Sequence, residues 1–111
     1  MIPDPAPPYE VGMSQLLRER IERLSDLAHS RGIAATFDAA VDHIMGLLRM
    51  APRESGDPLR HLQGMSSILY RAYRNDLIVH YSVHDRIPMV TVWRFEPGPG
   101  HPLAPPPPNG D

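Results

Sequence analysis

The residues with the clearest chemical potential sit at strand-like spacing in the second half of the chain. Arg71 and Tyr73 are two apart, as are His80 and Ser82, with Trp93 and Arg94 further on. In a strand, residues two apart share a face, so an arginine, a tyrosine and a histidine can meet on one surface. That set can bind a phosphodiester, orient a 2′-hydroxyl and move a proton. An ordinary solvated sheet face accounts for the same residues, and both readings stay open on composition alone. His80 and His84 would suggest a metal pair on a helix, but on a strand they stand roughly 13 Å apart and cannot chelate one ion. His29, His43 and His61 are scattered singly and are read as surface or satisfied histidines. Ser66-Ser67 has no local partner that would mark a nucleophile, and Asp38 and Asp42 are read as solvated helix charges. No metal and no cofactor is expected.

Composition narrows the classes further. The chain has 111 residues, 14 of them proline and none cysteine, and carries 11 basic and 13 acidic residues for a net charge of −2. Without cysteine there is no disulfide scaffold, thiolate metal site or cysteine nucleophile. Every basic residue is arginine, so no lysine can form a Schiff base, while permanently charged forks for phosphate or carboxylate are present. A net charge near zero argues against non-specific coating of nucleic acid. Residues 65–96 hold four arginines against three acids, making the second half the more favourable place for an anion-binding surface. The prolines cluster in residues 1–8 and 97–111, which are read as disordered tails around a single domain at 9–96. No apolar run reaches membrane-spanning length and no signal pattern opens the chain, so a cytoplasmic setting is expected.

The elements that must position these groups follow from periodicity. Tyr9–Met13 reads as a short edge strand, and Ser14 as the N-cap of a helix. Leu17, Ile21, Leu24 and Ala28, joined by Leu16 and Leu27, form its apolar stripe. Glu19 and Arg23 are spaced for an i,i+4 pair on the opposite face, and Gly32 suits a left-handed stop. A second helix is predicted from Thr36 to Met50, with Phe37, Val41, Ile44 and Leu48 in one stripe, completing an αα-hairpin. Pro52–Gly64 reads as a polar connection. The period then changes to two over Met65–Arg74, Leu77–His84 and Met89–Glu96, with Asn75-Asp76 as a tight hairpin turn. An antiparallel three-stranded meander results, with Ile68, Tyr70, Ala72, Leu77, Val79, Tyr81 and Val83 facing the helices. Leu69, Arg71, Tyr73 and His80 face away. For the last strand, Val90 and Val92 inward with Thr91 and Trp93 outward is favoured, and the reverse parity stays open.

The order strand, helical hairpin, meander resembles that of the RelE/ParE superfamily of type II toxins, which includes plasmid stabilization proteins. The wording is similar too. Tyr70-Arg71-Ala72-Tyr73-Arg74 leading into Leu77-Ile78-Val79-His80-Tyr81 looks like the family's paired strands, and Val90-Thr91-Val92-Trp93-Arg94-Phe95 like its final strand. The resemblance implies an α+β two-layer fold, with the N-terminal strand and αα-hairpin packed on one face of an antiparallel sheet and the first strand beside the last. It implies an antitoxin partner and, in messenger-cleaving members, a metal-independent ribonuclease face that works at the ribosome. On that analogy Arg71, His80 and His101 are the catalytic candidates. His101 enters because Gly100-His101-Pro102-Leu103 resembles the glycine-histidine turn after the last strand of some members. Tyr73, Trp93 and Arg94 are the substrate-binding candidates. Ile78 stands where ribonuclease members carry a basic residue, and proline and glycine follow the last strand where they carry an arginine. A non-catalytic member, either a gyrase-directed poison or a protein-binding module, therefore stays open beside the enzyme.

Overall fold

The computed structural model describes residues 5–105; expectations for residues 1–4 and 106–111, including most of the four-proline run, lie outside the described residues. The chain runs β1 (Glu10–Met13), α1 (Gln15–Ser30), α2 (Ala34–Met50), β2 (Asp57–Leu62), β3 (Ser67–Arg74), β4 (Leu77–His84) and β5 (Met89–Pro97). Both helices pack on one face of a five-stranded sheet of order β1-β5-β4-β3-β2. No helix among the described residues is long and apolar enough to cross a membrane.

Local chemistry explains the boundaries. The Ser14 hydroxyl accepts from the Leu17 amide at 3.1 Å, satisfying a donor that the first turn of α1 leaves free. The helix stops where Gly32 adopts φ 74°, and the Ile33 amide reaches back to the Ala28 carbonyl at 2.9 Å. Asn75 and Asp76 both take left-handed φ, 53° and 60°, the backbone that a two-residue hairpin turn needs. That turn fixes the β3–β4 register: Arg74 opposes Leu77, Ala72 opposes Val79 and Tyr70 opposes Tyr81.

Alternation then builds the core. Tyr70 and Ala72 of β3, Leu77, Val79, Tyr81 and Val83 of β4, and Val90, Val92 and Phe95 of β5 are all buried. Phe37, Ile44 and Leu48 of α2 and Leu17 and Ala28 of α1 close the other side, with Ile21, Leu24 and Val41 partly buried at its margin. The Tyr70 and Tyr81 rings stack at 5.5 Å, and the Tyr81 hydroxyl donates to the Pro52 carbonyl at 2.6 Å. Burial pushes the Tyr81 phenol far above its ordinary range, so it stays a neutral donor.

Several expectations need correction. Pro52–Gly64 is not all connection, because Asp57–Leu62 forms an antiparallel edge strand on β3 with a register shift between Pro58 and Arg60. Proline is tolerated there because an edge strand has one side with no ladder to serve. The sheet is not wholly antiparallel, since β1 pairs in parallel with β5 from Glu10↔Met89 to Met13↔Val92. Order does not end at Glu96: β5 continues to Pro97, the Gly98 amide donates to the Asp76 carbonyl at 2.7 Å, and Leu103 is buried in the core. Leu16 is 72% exposed rather than part of the α1 stripe. The Glu19–Arg23 ion pair is not formed among the described residues.

Candidate functional site

The face of the sheet away from the helices carries the groups that could do chemistry. Register places Arg71 of β3 directly opposite His80 of β4, and His80 opposite Arg94 of β5. Side chains directly opposite on adjacent strands have Cβ atoms about 4.5–5.5 Å apart. His80 is thus the middle of a three-strand row with a guanidinium on each side.

A bulge in β5 makes the third member possible. His80 pairs with Arg94 while Tyr81 pairs with Val92, so Trp93 is the extra residue. Strict alternation from Val90 and Val92 would turn Trp93 outward and Arg94 inward. The extra residue re-aims the strand, exposing both Trp93 and Arg94 and returning Phe95 to full burial. The Trp93 indole donates to the Ser82 hydroxyl at 2.9 Å, which anchors the ring while 48% of the residue stays exposed.

Beside this row lies an open groove of about 540 Å³, with Leu62, Met65, Leu69 and Trp93 as apolar walls, Arg60 and Arg94 as its cations and the His80 imidazole between them. An apolar platform edged by cations suits planar, anionic ligands such as unpaired nucleotides. Arg94 is held by Glu96 at 3.2 Å, and the same carboxylate lies 3.9 Å from Arg20. Arg60 and Arg71 enter no ion pair among the described residues. His80 is held below its ordinary value first by burial, then by the positive charges of Arg94 and Arg71, with Glu96 opposing. At neutral pH it is therefore a neutral imidazole able to take a proton.

The other sequence candidates divide. Tyr73 lies on the same face, 54% exposed, and its hydroxyl donates to Asp76 Oδ1 at 3.3 Å. Desolvation and the Asp76 carboxylate hold its phenol above the usual range. His101 is not brought to Arg71 and His80. Its ring meets Phe37 edge-on, centroids 6.3 Å apart, on the helix side of the sheet. Its Nδ1 accepts from the Leu103 amide at 3.0 Å, and Arg31 of the αα-turn donates to the Pro102 carbonyl at 2.7 Å. Burial lowers the His101 value, with Asp76 opposing. A glycine-flanked histidine looks free in sequence; the buried Leu103 two residues on is what ties it down. His84 is likewise occupied, its Nδ1 accepting from the Arg86 and Ile87 amides. Arg60 was missed because its strand was, although an arginine among Leu59, Leu62 and Met65 was the available signal.

No protein-family model and no curated protein sequence matches the chain. Solved structures do. The toxin–antitoxin complex RelBE2 of Mycobacterium tuberculosis contains a chain that matches with a TM-score of 0.60 at 22% identity, over 86% of this chain and 97% of that one. The archaeal RelE–RelB complex of Pyrococcus horikoshii gives a TM-score of 0.54 at 20% identity, over 85% and 99%. The chain has the RelE-like fold. Within this RelE-like fold the row Arg71–His80–Arg94 lies on the sheet face opposite the helices, and the strap that follows β5 closes onto α2.

Proposed function

We propose that this protein is the toxin half of a type II toxin–antitoxin pair and a metal-independent endoribonuclease that cuts messenger RNA in the cytoplasm. The observation that carries the reading is the row in which His80 stands between two guanidiniums beside an apolar groove. Single-stranded RNA would lay a base on Trp93 or on the Leu62/Leu69 wall, bringing its phosphodiester over the row. Neutral His80 takes the proton of the 2′-hydroxyl as O2′ attacks phosphorus. Arg71 and Arg94 offset the charge that builds on the non-bridging oxygens. The P–O5′ bond breaks to leave a 2′,3′-cyclic phosphate, and the leaving oxygen takes its proton from water. Tyr73 orients or stacks on a neighbouring base. His101 has a structural part in this reading, clamping the strap to α2. The antitoxin partner is supported by the two structural neighbours, both of which are toxin–antitoxin complexes.

One observation favours a second reading. With His101 on the helix side and His84 occupied, no second free histidine lies on this face among the described residues to protonate the leaving group, which suits a non-catalytic member that binds a target without cutting it. Induction in a bacterial host separates the two. The enzyme predicts growth arrest with transcripts cut inside reading frames, both abolished in Arg71→Ala and His80→Ala variants that stay folded by circular dichroism. Intact transcripts in arrested cells would overturn the enzyme and leave the binding protein.

A further inference from the structure

The ladder between β1 and β5 ends at Met13↔Val92, so beyond that point β5 has no strand on its outer side. The first turns of α1 flank this free stretch instead. Between them lies a cleft of about 440 Å³ whose polar walls are Ser14, Arg20 and Arg23 of the α1 side and Arg94 and Glu96 of β5, with Trp93 also lining it. Trp93 and Arg94 also border the groove on the open face. The two depressions are therefore neighbours on either side of one tryptophan and one arginine.

The charges in this cleft are unequal. Three guanidiniums converge on it, and the carboxylate present is that of Glu96, 3.2 Å from Arg94 and 3.9 Å from Arg20. Arg23 enters no ion pair among the described residues. The amino end of α1, capped by Ser14 and with no acidic residue in its first turn, adds the positive end of a sixteen-residue helix. The side chains of Arg20 and Arg94 are 52% and 62% exposed, so an incoming anion reaches both without unfolding anything.

We propose that this cleft is a second phosphate subsite for single-stranded RNA, adjoining the open-face site across Trp93 and occupied by the Glu96 carboxylate until the RNA backbone displaces it. The proposal rests on the reading of the open face as an RNA-binding surface. A strand crossing that face would stack one base on Trp93 and turn its next phosphate toward Arg20, Arg23 and Arg94. Glu96 then acts as an internal competitor: it holds the arginines in place in the free protein and weakens the first hold on RNA. Duplex RNA offers no unstacked base for Trp93, so the subsite favours single strands.

The test measures binding of the full chain, uncoupled from cleavage. Fluorescence anisotropy follows a labelled 2′-O-methyl oligonucleotide of roughly eight nucleotides, within the span of single-strand sites and resistant to 2′-hydroxyl attack. Glu96→Gln should tighten binding several-fold, and Arg20→Ala/Arg23→Ala should weaken it. The double variant should also flatten the slope of log K against log salt by ~0.7 for each phosphate it no longer neutralises. A duplex of the same sequence should bind more weakly than the single strand. Wild-type affinity in Glu96→Gln, or an unchanged salt slope in the double variant, would overturn the subsite. If binding nevertheless falls in Arg71→Ala, the open-face reading survives that failure. Binding abolished in Arg20→Ala/Arg23→Ala but indifferent to Arg71→Ala would sink the open-face site and, with it, the cleft's place as a second subsite beside that site.

Discussion

Gly56 lies where β2 begins to close on β3, and a single methyl group there tests whether this packing is as tight as the structure gives it. A Cβ at Gly56 would stand 2.7 Å from the Arg71 carbonyl oxygen and 2.7 Å from the Tyr81 hydroxyl, where ordinary contact begins at 3.4 Å. The carbonyl belongs to β3, so it yields only if the strand carrying the central row moves. The hydroxyl is committed to the Pro52 carbonyl at 2.6 Å. Gly56→Ala must therefore push the 52–56 segment away and stretch that bond. Overpacking costs ~1–3 kcal/mol and a weakened buried hydrogen bond about 1 more, so the loss should be about 2–4 kcal/mol. In a domain of this size each kcal/mol moves Tm by roughly 4–8 °C, which puts the drop at roughly 8–32 °C. Tyr81→Phe alone should cost ~1–2 kcal/mol by leaving the Pro52 carbonyl without its donor. In the double variant the hydroxyl that blocks the new methyl is gone, so the two losses should fall short of additive by about 1 kcal/mol. Urea melts of the four proteins give the free energies, and thermal melts of the same four give the Tm shifts. A Gly56→Ala midpoint equal to wild type, or strictly additive losses, would refute the close approach.

Two further outcomes follow from the core and from the row. Ile44, 1% exposed at the centre of α2, should lose ~2–5 kcal/mol on substitution by alanine, and an unmoved urea midpoint would show the wrong helix face assigned inward. His80 should titrate below the usual 6.5 when its ring proton is followed by NMR, and Arg71→Ala and Arg94→Ala should each raise that midpoint. Because the folded value is depressed, its contribution to stability is present above pH 6.5 and is lost as pH falls through the folded value; a wild-type midpoint at or above 6.5 would sink the reading of a cation-flanked imidazole.

Much of this was legible in the chain, and the reasons are specific. Both helices announce themselves through apolar spacing, and α1 also through its serine cap and glycine stop. The pairing of Arg71 with His80 follows by counting outward from the two-residue turn Asn75-Asp76, since Arg74 must oppose Leu77 and each step moves one residue along both strands. What failed was whatever depends on a neighbour. The edge strand β2 is exposed along almost its whole length, so no face carries an apolar alternation, and Pro58 argues against a strand unless the strand is known to be an edge. The segment after Pro97 looks like a tail by composition, yet it docks through one buried leucine, one backbone hydrogen bond and a glycine lodged against the Tyr73 ring. His101 was misplaced for the same reason, since spacing in a glycine-rich turn does not fix the face on which a ring ends. Arg20 and Arg23 look like solvated helix charges until the free edge of β5 is seen opposite them.

The bulge at Trp93 decides whether Arg94 joins Arg71 and His80 on one face. Without the extra residue, alternation would keep Trp93 outward, bury Arg94 against the helices and turn Phe95 to solvent. An arginine buried there would have to be paired or expelled at a cost of several kcal/mol. With it, Phe95 keeps its place in the core, and tryptophan and arginine emerge side by side at the junction of groove and cleft. One inserted residue thus serves stability and surface chemistry together. It also explains why parity in the last strand was ambiguous from sequence: Val90-Thr91-Val92 obeys one phase and Phe95 the other, and both are right on their own side of the bulge. The row Arg71–His80–Arg94 is therefore a consequence of register, set at one end by the Asn75-Asp76 turn and at the other by Trp93.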